Sequence, residues 1–199
     1  MTAFATQQPA DPVFRAQANF RALMDALSRP GSIQRLLVDD DAGAIDADLA
    51  AIAQTLIDHE TFLWLSPSLA DDRKAREWLA FATGAPLVDA PERAAFALVA
   101  EADALPDLRA FGQGTQEYPD CSTTIVKACG GLTHGPRLAC SGPGIKTPTT
   151  VAPAGLGTDF VERWAENRVL FPRGVDLILC AGGGVMGMPR TLTIKRLEV

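Results

Sequence analysis

Hydrophobic residues are spaced along this 199-residue chain in two ways, as stripes recurring every three or four positions and as short unbroken runs. The first stripe is Phe20, Leu23, Met24 and Leu27, opposite a face that carries Arg15, Arg21 and Asp25. Spacing of i, i+3, i+4 and i+7 predicts an amphipathic helix with that stripe against the core. Asp11 before Pro12 suits its start, because a carboxylate accepts from free first-turn amides and proline tolerates that position. Pro30-Gly31 ends it.

Residues 32–38 then read as a strand, Asp39-Asp40-Asp41 as a polar turn, and residues 46–58 as a helix rich in Ala, Leu and Ile. Residues 61–65 read as a short buried strand. A helix capped by Ser66 or Ser68 follows to Thr83, with Trp78 and Leu79 inward and Gly84 as its left-handed stop. The continuous apolar run 94–100 suits a strand covered on both faces. A helical turn over 105–111 and a loop over 112–120 lead to strands at 123–128 and 137–140, joined by a glycine-rich reversal. Pro148 and Pro153 break the next stretch. Thr158 is placed to cap a helix carrying Phe160, Val161, Trp164 and Ala165, which Phe171-Pro172 ends. Residues 175–181 and 191–199 form the last two strands, expected antiparallel. In the final one Leu192, Ile194 and Leu197 alternate irregularly, as at a sheet edge. Such interleaving predicts a single α/β domain over residues 1–199, a mixed sheet with helices packed on it, residues 1–10 being a flexible N-terminus.

Charge narrows the function classes. Eighteen basic against 24 acidic residues give a net charge of -6, which supplies no drive toward nucleic acid or anionic lipid. No apolar run approaches the roughly 20 residues needed to cross a bilayer, and residues 1–8 lack the regions of a secretion signal. A cytoplasmic location is expected. Cys121, Cys129, Cys140 and Cys180 form no CxxC pair, so free structural thiols, buried or half-buried, are expected. A metal held by Cys129, His134 and Cys140 is the sharper alternative, but it lacks tight ligand pairs and a fourth donor.

Other motifs fare no better. The three aspartates 39–41 lack the alternation and distal glutamate of a calcium loop. Gly182-Gly183-Gly184-Val185-Met186-Gly187 has dinucleotide-loop spacing, yet only twelve residues follow it, with Pro189 among the first, so a glycine hairpin is expected. Gly142-Pro143-Gly144-Ile145-Lys146-Thr147 departs from a phosphate-binding loop at Ile145 and Pro148, though Lys146 beside glycine amides can still face an anion. His59 and His134 have no nucleophile elbow to serve. Lys127 and Lys146 stay open as Schiff-base lysines. Asp176, inside an apolar strand, needs a basic partner or backbone amides, because an unpaired buried charge costs several kcal/mol.

Four short words remain: Phe20-Arg21-Ala22-Leu23-Met24 running to Arg29-Pro30-Gly31, Ser141-Gly142-Pro143-Gly144-Ile145, Phe171-Pro172-Arg173-Gly174-Val175-Asp176-Leu177-Ile178-Leu179, and Met188-Pro189-Arg190-Thr191. In this order and spacing the chain resembles the PhnH subunit family of the bacterial carbon-phosphorus lyase system, which degrades phosphonates. The resemblance runs from about Phe14 to about Thr193. It implies a fold related to the large domain of pyridoxal-phosphate-dependent transferases without the cofactor site, and therefore no cofactor, no metal and no catalytic residue. It also implies a core assembly with PhnG-, PhnI- and PhnJ-type subunits and an ATPase-like partner. There an alkylphosphonate displaces adenine from ATP, with the nucleosidase chemistry on the PhnI-type subunit. The chain itself is expected to be required, to lack turnover alone and to form a homodimer.

Arg137, Lys146, Arg173 and Arg190 stand beside glycine or proline turns and are the candidates for touching a phosphate or a partner's carboxylate. Two departures from the family pattern bear on loop geometry: Arg173 stands where an apolar residue is expected, and the glycine triplet 182–184 replaces a bulkier polar turn. The competing readings are a free-standing small-molecule enzyme using Lys146 or a cysteine, and a scaffold without a ligand.

Overall fold

A computed structural model of the protein describes residues 11–39 and 43–197. The flexibility expected of residues 1–10, most of the aspartate turn and the last two positions of the final strand lie outside the described residues.

Helix α1 (Pro12–Ser28) starts as its sequence dictates, Asp11 accepting from the Val13 amide with proline in the first turn. It leads to the two-residue strand β1 (Gln34–Arg35), shorter than the expected 32–38. Helix α2 (Ala47–Leu56) is capped by Asp46, and β2 (Leu63–Leu65) follows. The single helix expected up to Thr83 is two, α3 (Pro67–Asp71) and α4 (Arg73–Thr83). Asp72 between them leaves helical geometry and accepts from the Lys74 and Ala75 amides, a local bond that competes with continuing the helix. Gly84, at φ +70°, terminates α4 as expected. Leu79 is fully buried, whereas Trp78 is half-buried.

Strands β3 (Phe96–Val99), β4 (Thr124–Ala128) and β7 (Asp176–Ala181) continue the sheet. Its order is β1-β8-β7-β4-β3-β2, where β8 is Gly184–Met188. Strands β2, β3, β4 and β7 run parallel, and β8 and β1 close one edge antiparallel. Both faces are covered, so the central strands are mostly apolar, with Lys127 in β4 and Asp176 in β7 as the charged exceptions. Alternate residues of β4 and β7 divide between two cores: Ile125, Leu177 and Leu179 face one, Val126, Ile178 and Cys180 the other. The second core lies under α1, α2 and α4.

The first core is closed by a three-stranded antiparallel sheet, in which β5 (Leu138–Ser141) lies between β6 (Thr149–Val151) and β9 (Thr193–Arg196), and by α5 (Phe160–Val169). The expected reversal joining 123–128 to 137–140 is therefore not a hairpin. Strand β4 belongs to the large sheet, and β5 pairs with β6 and β9. Strand β6, between the two prolines, was not expected; β9 is an edge strand, as its irregular alternation predicts. Asp159, not Thr158, occupies the cap position of α5.

The two expected final strands are three. The antiparallel pair is β7 and β8, joined by the two-residue turn Gly182-Gly183 with φ +58° and +76°. Positive φ at both central positions needs glycine. Glycine decides helix packing as well: a Cβ on Gly187 would lie 2.6 Å from the Ala26 carbonyl oxygen, so α1 rests its backbone directly on β8. That close seat rolls the α1 stripe. Leu23 and Ala26 are buried with Asn19, while Phe20 is 51% and Met24 41% exposed, against the expectation that both face the core. Asn19 supplies the buried polar contact, bonding the Leu37 amide and carbonyl at 2.8 and 3.0 Å.

Candidate functional site

The short sequence words meet in space in two places. At the first, antiparallel pairing sets Leu177 opposite Met188, which brings Asp176, at the start of β7, to Arg190, just past β8. The Arg190 backbone amide donates to Asp176 Oδ1 at 2.7 Å and its Nε to the same oxygen at 3.1 Å; Nη2 donates to Oδ2. Nη2 also donates to Ser122 Oγ, and Nη1 to the carbonyls of Pro119 at 2.8 Å and Pro172 at 3.2 Å. All five guanidinium N–H donors are engaged, as a rigid planar fork permits. The pair is largely buried, with 12% and 23% side-chain exposure for Arg190 and Asp176. Asp176 thus finds both the basic partner and the backbone amide that its apolar surroundings demand. Arg190 acts as a clamp between two loops. Arg173 lies on one of them, exposed next to the exposed Phe171.

The second meeting point is the C-terminal end of α1. A Cβ on Gly144 would fall 2.3 Å from the Ser28 carbonyl oxygen, and one on Gly31 2.7 Å from Thr149 Cγ2. Both glycines have positive φ, at +82° and +83°. The turn between β5 and β6 is thereby locked against Arg29-Pro30-Gly31, which leaves Lys146 exposed and Thr147-Pro148 entering a strand instead of a helix. Arg137, just before β5, lines a cleft of about 300 Å³ with Gly31, Ile33, Thr150 and Met186. Among the described residues its guanidinium makes no hydrogen bond or ion pair. The four candidate cations are therefore not gathered: Arg190 and Arg173 sit at the start of β7, Arg137 and Lys146 beside the end of α1.

Of the nucleophile candidates, Lys127 and three of the four cysteines are sealed in, while Lys146 and Cys121 are exposed. Lys127 is fully buried, its Nζ donating to the carbonyls of Ala100 at 2.7 Å and Glu101 at 3.1 Å. Burial depresses its pKa, opposed by nearby Cys129, Asp103 and Glu101. Cys129, Cys140 and Cys180 are buried free thiols, as expected, whereas Cys121 is exposed. Burial pushes the Cys129 and Cys140 thiols up to about 11, where almost no nucleophilic thiolate exists at neutral pH. Cys129, His134 and Cys140 do not converge among the described residues.

A different trio does converge, one the sequence does not single out because its members lie far apart in the chain. Asp46, Asp48 and Cys180 place one ligand atom each within 4.8 Å of one another. Each has a structural task already: Asp46 caps α2, Asp48 accepts from the Gly183 amide at 2.9 Å, and the Cys180 thiol points to the Lys127 carbonyl. Burial raises the Asp48 pKa, with Asp46 adding to it. Asp48 thus fastens α2 to the glycine hairpin that the sequence marks as a departure, and the Gly183 carbonyl accepts a bond from the Leu36 amide. The hairpin runs into β8, so no helix N-terminus is presented to a dinucleotide. Among the described residues no helix is long and apolar enough to cross a membrane.

Fold and site together define a mixed α/β domain whose polar clusters bind its own loops to one another. Comparison with known proteins makes this specific. The profile of the bacterial phosphonate metabolism protein PhnH matches residues 7–195, and the chain belongs to the PhnH family. It is similar to the alpha-D-ribose 1-methylphosphonate 5-triphosphate synthase subunit PhnH of Rhizobium meliloti, 46% identical over 191 residues, which covers 94% of each chain. It is also similar to the putative C-P lyase subunit protein HtxG of Stutzerimonas stutzeri, 32% identical over 184 residues, 91% of this chain and 86% of that protein. The resemblance carried by the short words is borne out, and the structure gives its physical basis: those words are the contacts that close the fold.

Proposed function

We propose that this protein is a required, non-catalytic subunit of a carbon-phosphorus lyase core complex. In that role it supports formation of alpha-D-ribose 1-methylphosphonate 5-triphosphate from ATP and methylphosphonate in phosphonate catabolism. The observation that carries the reading is end-to-end similarity to the Rhizobium meliloti subunit, at 46% identity with 94% of both chains covered. The dispersal of Arg137, Lys146, Arg173 and Arg190, and the burial of Lys127 and three thiols, favour it over a free-standing enzyme using Lys146 or a cysteine.

PhnG-, PhnI- and PhnJ-type subunits are the proposed partners, in the cytoplasm, with a homodimer when the chain is alone. The exposed apolar residues Val13, Phe20 and Met24, all on α1, support a protein partner, since exposed apolar side chains on one helix suit an interaction surface. The fold is proposed to derive from the large domain of pyridoxal-phosphate-dependent transferases, its cofactor site lost. The test is reconstitution. Purified alone, the chain is expected to release no adenine from ATP and methylphosphonate; the mixture of partner subunits should turn over only when the chain is added. Adenine release by the chain alone, or full turnover in its absence, would overturn the proposal.

A further inference from the structure

The irregular alternation of β9 has a structural counterpart. Leu192 and Ile194 are buried in the core between the small sheet and α5, and Arg196 continues the same row where a third apolar residue belongs. Its guanidinium lines a space of about 220 Å³ walled by Leu138, Pro153, Leu156, Phe160 and Val161. One Nη donates to the Thr158 carbonyl, and among the described residues no carboxylate pairs with the cation. Apolar walls with a single charge at the mouth are complementary to a molecule with an apolar body and one anionic head. Leu156 and Phe160, 5% and 1% exposed, belong at the same time to the core, so the walls of the space are buried side chains.

We propose that this space is a binding site for a short amphiphilic oxyanion, an alkyl carboxylate or alkylphosphonate, with Arg196 holding the head. Taking a methylene as similar in size to a water molecule, about 30 Å³, the space of about 220 Å³ holds roughly seven carbons. The site is separate from the Arg137 cleft and from the Asp176–Arg190 clamp, and its test uses the full chain alone, so it stands or falls independently of the subunit role.

The experiment is calorimetric titration with hexanoate, heptanoate, octanoate, decanoate, octylphosphonate and 1-octanol. Each added methylene should tighten binding about fourfold, the burial gain of one methylene, until roughly seven carbons fill the space, with no gain beyond. Octanol should bind about tenfold more weakly than octanoate, the discrimination expected of one charge-assisted bond. Arg196→Gln should erase that difference and Arg196→Lys restore part of it; Val161→Phe, which fills the space, should remove binding of every probe. Comparison of octanoate with octylphosphonate identifies the preferred head. Absence of binding by all probes overturns the proposal. So does affinity that keeps rising to decanoate, or anion binding indifferent to Arg196→Gln, a variant of an exposed residue that decides the matter even if Val161→Phe does not fold.

Discussion

Replacing Arg190 by Met tests whether the clamp, and not a ligand, is the reason for this residue. The substitution removes a bidentate bond to Asp176, a bond to Ser122 and two bonds to the carbonyls of Pro119 and Pro172. Asp176 keeps only the backbone amide of residue 190 and loses its counter-charge. Breaking a buried pair from one side costs about 3–5 kcal/mol. Residual exposure of 12% and 23% lets water reach part of the site, which brings the figure to about 3 kcal/mol. For a chain of this size each kcal/mol lowers the melting temperature by about 2–4 °C, so a drop of roughly 6–12 °C is expected. Thermal and urea unfolding followed by circular dichroism measures it. The double variant Arg190→Met with Asp176→Leu should recover much of the loss, because it leaves no orphaned carboxylate. A drop below about 2 °C in the single variant, or a double variant that is worse by the sum of both changes, would refute the reasoning.

Two further outcomes follow from packing and burial. Gly187→Ala must push α1 away from β8, since the new Cβ meets the Ala26 carbonyl at 2.6 Å. A loss of about 1–3 kcal/mol in urea unfolding is expected, and an unchanged midpoint would count against the close seat of α1. A thiol reagent should label Cys121 rapidly in the native protein and the other three cysteines only on unfolding. The folded value of about 11 for Cys140 lies above that of an unfolded thiol, near 8.5. Its contribution to stability is thus complete below pH ~8.5 and lost as the pH climbs toward 11, because the folded state holds the extra proton across that window. Cys140→Ala should flatten this part of the pH–stability curve, and an identical slope in both proteins would contradict the burial argument.

Elements with a local physical cause were legible in the sequence. Asp11-Pro12 and Gly84 set helix ends within reach of their own backbone, Gly182-Gly183 sets a turn needing positive φ, and the charge of Asp176 demands a partner wherever the strand lies. What was missed depends on distant residues. Strand β8, built of glycine and methionine with one valine, has little strand preference of its own and exists because β7 and β1 offer edges on both sides. Strand β6 sits among prolines and threonines and is held by β5. The exposure of Phe20 and Met24 follows from one glycine on the opposite end of the chain, which lets α1 sit too low for its whole apolar stripe to reach the core. The four candidate cations stood alike in the sequence, each beside a glycine or proline turn, and nothing local reveals that every donor of Arg190 is engaged within the fold.

The packing of α1 on β8 joins elements far apart in the chain, and β9 is needed to complete a sheet begun at β5. During synthesis, then, the N-terminal helix emerges about 160 residues before the strand it lies on. Until then only α2 and β1 are at hand to cover part of its apolar face, and partly folded nascent chains of this kind are prone to aggregate. Products truncated before residue 184 lack that strand altogether, and quality control should remove them rather than let them accumulate as partial folds.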